Sequence, residues 1–115
     1  MMNNLIDFEK TKKVFIIAEA GSNWKCGSYE EIDFAVNLVR TKGNNKIGLM
    51  QCTSKYPCPL EALNLGAIPE MKSRYNVPIG FSDHSMETII APILAVGLGA
   101  TFIEKHFTLD NTTIF

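Results

Sequence analysis

Apolar positions along the chain alternate between short unbroken runs and longer stretches with helical spacing. Residues 14–19 form an apolar run closed by Gly21, the pattern of a buried strand. Ile32, Ala35, Val36 and Val39 then recur at helical spacing and predict a helix over 28–42. Ser28 with Glu31 predicts a capping box, in which each side chain satisfies a free backbone N–H, and Gly43 is the expected stop. Residues 46–54 read as a second strand, and Pro57 and Pro59 mark a loop after it. The helical spacing over 60–75 is interrupted by Pro69, a residue suited to opening a new helical turn. Residues 78–82 read as a third strand. Residues 86–98 read as a strongly apolar helix, N-capped by Ser85 and bent at Pro92. Residues 101–108 read as a fourth strand, and 111–115 carry no pattern.

This order, β-α-β-α-β-α-β, predicts an α/β protein, because each crossover is long enough to join parallel strands. Residues 1–115 read as one domain with 1–13 as an N-terminal extension, without linker or internal repeat. Composition narrows the function classes. Net charge is −1 and no basic run stands out, so neither nucleic acid nor an anionic membrane is indicated as a partner. No apolar stretch reaches the ~18 residues of a membrane span. Residues 1–13 lack the apolar centre of a signal peptide, so a cytoplasmic location is expected. Cys26, Cys52 and Cys58 are odd in number and not spaced as C-x-x-C, which argues against a disulfide framework. Asn111-Thr112-Thr113 fits the glycosylation pattern, which carries meaning only in a secreted chain.

Ligands of parallel α/β folds bind at the carboxyl ends of the strands. All four expected strands end in polar chemistry. The first ends at Glu19, followed by Ser22 and Asn23. The second ends at Thr53-Ser54, followed by Tyr56. The third ends at Ser82-Asp83-His84, and the fourth at Glu104-Lys105-His106. Alternation places Phe102, Glu104 and His106 on one face of the last strand and Lys105 on the other, toward the helix layer or solvent. Ser82 and His84 share a face of the third. If both faces point inward, the two histidines meet, and two neutral imidazoles there could bind a divalent cation with water or substrate oxygens. A structural zinc site needs four protein ligands, so an open catalytic site fits better. Plainer readings stand beside this one. The histidines could be hydrogen-bonded structural residues, Glu19 a helix cap or a lysine partner, and Tyr56 a packing residue.

Longer motifs carry a resemblance. Ile17-Ala18-Glu19-Ala20-Gly21-Ser22-Asn23 resembles the opening strand of the N-acetylneuraminate (sialic acid) synthases. Cys52-Thr53-Ser54-Lys55-Tyr56-Pro57-Cys58-Pro59 with Asn64-Leu65 resembles their sixth strand and its loop. Val77-Pro78-Ile79-Gly80-Phe81-Ser82-Asp83-His84-Ser85 resembles the seventh. Gly97-Leu98-Gly99-Ala100 through Ile103-Glu104-Lys105-His106-Phe107-Thr108-Leu109-Asp110 resembles the eighth.

The resemblance implies an aldolase-type (β/α) barrel that joins phosphoenolpyruvate to an N-acetylated amino sugar such as N-acetylmannosamine. It implies a divalent cation, Mn2+ or Mg2+, on His84 and His106, with Glu19 near the reacting centre. It implies Ser82 as a phosphoenolpyruvate contact, Tyr56 as a sugar contact, and Ser54 at a position where some members use asparagine to touch phosphoenolpyruvate. The family's strands two to five have no counterpart, the chain passing near residues 40–45 to the sixth strand, and neither does its C-terminal antifreeze-like domain. A full barrel takes about 250 residues. Because the first and eighth strands adjoin in a closed barrel, the resemblance implies a half barrel of four parallel strands in the order 2-3-4-1. Pairing of residues 15–18 with 48–52 would contradict that order. Three functions follow: a shortened synthase of weak or no activity, a half-barrel module that binds or assembles, with homodimerisation through its open edges, or a non-functional remnant.

Overall fold

The structure, a computed structural model, describes residues 18–21 and 28–109, with side chains from Ser28 to Leu109. The extension 1–13, the apolar run 14–17, Ser22, Asn23, Cys26 and the Asn111 triplet lie outside the described residues. The elements are β1 (Ala18–Gly21), α1 (Tyr29–Thr41), β2 (Leu49–Cys52), a 3-10 turn (Leu60–Ala62), α2 (Ala67–Tyr75), β3 (Ile79–Asp83), α3 (Ile90–Gly97) and β4 (Phe102–Lys105). The four strands form one sheet and every pairing is parallel. The α/β class with crossover helices is as expected.

Local chemistry explains most of the boundaries. Ser28 caps α1, and its capping box with Glu31 is formed in both directions, at 3.3 and 3.0 Å. Gly43 follows the helix at φ +80°, a conformation that side chains resist. Ile32 and Val36 are buried, whereas Ala35 and Val39 are exposed, because α1 meets the core along one narrow i, i+4 seam. Pro69 is the third residue of α2, in a first turn that needs no N–H from it.

The helix expected over 86–98 starts four residues later, and Ser85 is not its cap. The Glu87 carboxylate accepts from the backbone N–H of Thr88, Ile89 and Ile90 at 2.9, 3.1 and 3.4 Å. Pro92 is therefore the third residue of α3 and sits in its first turn, not at a bend in its middle.

The expected strand order 2-3-4-1 is wrong. The sheet runs β1-β2-β3-β4, with Ala18 opposite Leu49 and Gly21 opposite Cys52. The reason is local. Among the described residues between β1 and β2 the chain forms one 13-residue helix, and such a crossover delivers the next strand to the adjacent position. Residues 40–45, where the resemblance puts its junction, are the end of α1 and its turn, and they continue into β2 beside β1. β4 is consequently an edge of the sheet, and its residues are half-buried or exposed.

Alternation divides the sheet into two faces. Leu49, Ile79 and Phe81 join the helix-side core with Ile32, Val36, Ile68, Met71, Tyr75, Ala91 and Ala95. Full burial of a side chain such as Phe81 stabilises by roughly 1.5–3 kcal/mol. The opposite face carries Met50, Cys52, Gly80 and Ser82, and there the Phe102 ring lies over Gly80, where a Cβ would overlap it. No helix of the described residues is long and apolar enough to cross a membrane.

Candidate functional site

The polar ends of β2, β3 and β4 converge on His84. The residue follows β3 and is buried, with 7% exposure. Its Nδ1 lies 2.9 Å from the carbonyl oxygen of Thr53. A carbonyl only accepts, so Nδ1 carries the proton and Nε2 presents a lone pair. Thr53 is itself held by its hydroxyl, which donates to Ala62 O at 2.9 Å, so the acceptor that sets the tautomer is anchored. A backbone N–H donation from Cys58 to His84 O at 2.9 Å ties the loop after β2 to the same residue.

Two hydroxyls reach Nε2. The Tyr56 hydroxyl stands 2.7 Å away and donates to it. The Tyr56 ring stacks on the imidazole at 4.0 Å between centroids. Ser82 Oγ is 3.3 Å from Nε2 and donates to Glu104 Oε1 at 3.0 Å, linking the inner faces of β3 and β4. His106, one residue past β4, is exposed, and its ring lies 5.4 Å from that of His84 and 5.2 Å from that of Tyr56. Cys52 Sγ approaches the His84 ring at 3.9 Å. Cys52 and Cys58 are buried, and burial pushes the Cys58 thiol up.

His84, His106, Tyr56 and Ser82 are thus brought together as expected. Ser54 is not. It is exposed on the loop after β2, with no hydrogen bond to the cluster among the described residues. Glu19 lies in β1 opposite Met50. With β1 beside β2, Glu19 is three strand spacings from β4, about 14 Å along the sheet, rather than next to it.

Two participants escaped sequence reading. Glu104 was placed on the inner face but given no role, and it proves to be the Ser82 acceptor. Lys105 lies on the helix side of the sheet, as alternation expects, and bonds there to the buried Asp83 carboxylate. The equal position of Asp83 and Lys105, each directly before a histidine, was the signal available. Burial by itself would raise the Asp83 carboxyl, but hydrogen bonds from Lys105 and Ser85 outweigh it and hold the carboxyl below its ordinary value.

Among the described residues no three His, Cys, Asp or Glu side chains are grouped to hold a metal ion. His84 and His106 are the pair that could hold one. An imidazole with Nδ1–H bonded to a carbonyl and Nε2 left as donor is the arrangement metal-binding histidines adopt. Two imidazoles amid hydroxyl and carboxylate oxygens suit a divalent ion that takes its remaining ligands from water or substrate.

A parallel sheet with crossover helices and paired histidines at its carboxyl edge defines the class: a parallel α/β protein with its candidate site at the strand ends. Within that class, the NeuB family model matches residues 4–114, and the chain belongs to the NeuB family. It is 47% identical over 82 residues to the spore coat polysaccharide biosynthesis protein SpsE of Bacillus subtilis, covering 70% of this chain and 22% of that protein. It is 41% identical over 83 residues to a pseudaminic acid synthase of Campylobacter jejuni, covering 72% of this chain and 24% of that enzyme. The solved N-acetylneuraminic acid synthetase of Leptospira borgpetersenii, in complex with citrate, superposes with a TM-score of 0.73 at 41% identity, over 84% of this chain and 33% of that one. The chain therefore spans about a quarter of the length of the curated relatives it matches.

Proposed function

We propose that this chain carries the paired-histidine portion of a sugar-acid synthase that condenses phosphoenolpyruvate with an N-acetylated amino sugar of the N-acetylmannosamine kind. The observation that supports it most is the fixed tautomer of His84, whose Nε2 faces Tyr56 and stands beside His106. Relatives named as pseudaminic acid, N,N'-diacetyllegionaminic acid and N-acetylneuraminate-9-phosphate synthases support the reaction class. A divalent cation, Mn2+ or Mg2+, held by His84 and His106 would supply Lewis-acid polarisation of the sugar aldehyde. Thr53 keeps His84 in the tautomer that can coordinate. Tyr56, stacked on His84 with its hydroxyl on Nε2, is placed to meet a sugar hydroxyl entering the same space. Ser82, between Nε2 and Glu104, would turn its one O–H from Glu104 toward the carboxylate or phosphate of phosphoenolpyruvate. Ser54, on the loop after β2, keeps its proposed role against phosphoenolpyruvate, and Glu19 its role in the reaction from β1, two strands away from β3.

Titration with Mn2+ tests the reading: the unaltered chain binds it, and His84→Ala and His106→Ala each lose it. Absence of binding by the unaltered chain would overturn the reading and leave the remnant alternative. Phosphate release from phosphoenolpyruvate with N-acetylmannosamine is expected to be slight for this chain alone.

An assembly role is a second reading. Both outer strands, β1 and β4, lack a further strand partner among the described residues, and α3 exposes Ile90, Ile93, Leu94 and Val96. Unpaired strand edges and apolar patches favour association, including homodimers. Sedimentation that shows a concentration-independent monomer would remove it.

A further inference from the structure

Directly behind the paired histidines, on the helix side of the sheet, a second polar contact crosses from β3 to β4. Asp83 and Lys105 are opposite one another in the parallel register, and each directly precedes one histidine. Lys105 Nζ donates to Asp83 Oδ2 at 2.6 Å and to Ser85 O at 2.9 Å. The other carboxylate oxygen, Asp83 Oδ1, accepts from Ser85 N at 2.9 Å. The Asp83 side chain has no solvent exposure, and that of Lys105 has 24%.

One ammonium group therefore grips the residues on either side of His84. With positions 83 and 85 both held, the backbone at His84 has little freedom, and the imidazole is aimed at Thr53 O on the inner side. The same ammonium belongs to the residue before His106, so it also holds the β3–β4 spacing at which the two rings stand 5.4 Å apart. Stability alone is a poor explanation for a buried ion pair, since apolar residues of similar volume often do as well or better. What an apolar pair would not reproduce is the directional hold on both neighbours of His84.

We infer that Lys105 is a positioning residue of the histidine pair, acting through Asp83 and Ser85 to fix the His84 tautomer and the His84–His106 separation. The metal arm of this inference rests on reading the pair as a cation site; the tautomer arm does not.

The test uses the full chain, with Mn2+ alone as probe and long-range 1H–15N spectra of the imidazoles in metal-free protein. Two variants are compared with the parent: Lys105→Met, and Asp83→Asn with Lys105→Met, in which no unpaired buried carboxylate remains. The expected result is a single Nδ1–H tautomer of His84 in the parent, a mixed tautomer in the variants, and Mn2+ affinity lowered about 10–100-fold. A folded double variant with parental tautomer and affinity overturns the assignment. If neither variant folds, the pair is a stability element and the assignment also falls. If the parent binds no Mn2+, the proposed function fails and the spectra alone decide: a shifted tautomer in the folded variant supports positioning, an unchanged one refutes it.

Discussion

Tyr56 donates its hydroxyl proton to Nε2 of His84 at 2.7 Å while its ring stacks on the imidazole at 4.0 Å. One residue thus makes two different contacts with the same histidine, one directional and one not. The lone pair that would coordinate a cation is the one that holds Tyr56. The loop after β2 and the cation site are therefore coupled: a cation on Nε2 requires the tyrosine hydroxyl to move off.

Tyr56→Phe separates the two contacts, keeping the stack and removing the hydrogen bond. Loss of a bond worth about 1 kcal/mol should tighten Mn2+ binding about fivefold, because the lone pair no longer has to be released first. Titration by electron paramagnetic resonance of free Mn2+ reads the change. Weaker binding in the variant would mean that the hydroxyl supports coordination instead of competing with it.

The two histidines should differ in what they do for the fold. His84 is buried, donates to Thr53 O and carries the Tyr56 ring on its imidazole, so His84→Ala removes that bond and opens a gap, and should cost about 1–3 kcal/mol. His106 is exposed, and His106→Ala should stay within about 0.5 kcal/mol of the parent. Urea unfolding of both variants checks this. Equal losses would contradict the asymmetric placement.

Gly80 is required for a close approach rather than for a turn. Phe102 lies where a Cβ on Gly80 would stand, and the glycine lets the ring come against β3. Gly80→Ala should destabilise by about 1–3 kcal/mol as the ring is forced aside. Adding Phe102→Leu should recover part of that loss, measured as non-additivity of the two changes in thermal melts.

Acid should destabilise the protein from about pH 4 downward. The Asp33 carboxyl is held low by Arg74, the Asp83 carboxyl by Lys105 and Ser85 against the opposing effect of burial, and the Glu87 carboxyl by the N–H groups of Ile89 and Ile90. Each folded-state value lies below its unfolded one, so the unfolded chain takes up protons first as pH falls. The stabilisation is complete above the unfolded values of about 3.9–4.3 and disappears as pH drops through the folded ones. Urea midpoints should be level from pH 7 to 5 and fall toward pH 3, and Asp83→Asn should make that fall shallower. A flat profile would show that these carboxyls carry no stabilising linkage.

Much of the fold was legible because its causes are local. The Ser28–Glu31 box needs only residues three apart on one helix turn, and it formed as read. The meeting of Ser82, His84 and His106 followed from two-residue alternation plus parallel strands, whereas Tyr56, on the loop after β2, was indicated only by the resemblance. The errors have equally specific causes. Ser85 looked like the cap of α3, but its hydroxyl donates to Glu87 O and Glu87 supplies a longer side chain that reaches three amides. Lys105 was sent outward by alternation, correctly, yet nothing in a one-dimensional pattern shows that Asp83 is buried beside it with its charge to be met.

By itself the sequence determined the elements, the parallel class and the family, since periodicity, caps and motifs act over a few residues. Only the tertiary structure decided which strands are neighbours. The order β1-β2-β3-β4 arises because the crossover through α1 returns the chain one strand away. That placement moved Glu19 away from β4 and left β4 as an edge. The tautomer of His84 was likewise settled only by packing, because Thr53 O and the Tyr56 hydroxyl reach it from another strand end, more than 25 residues earlier in the chain. Hydrogen bonds across strands depend on register and distance, quantities that no run of residues contains.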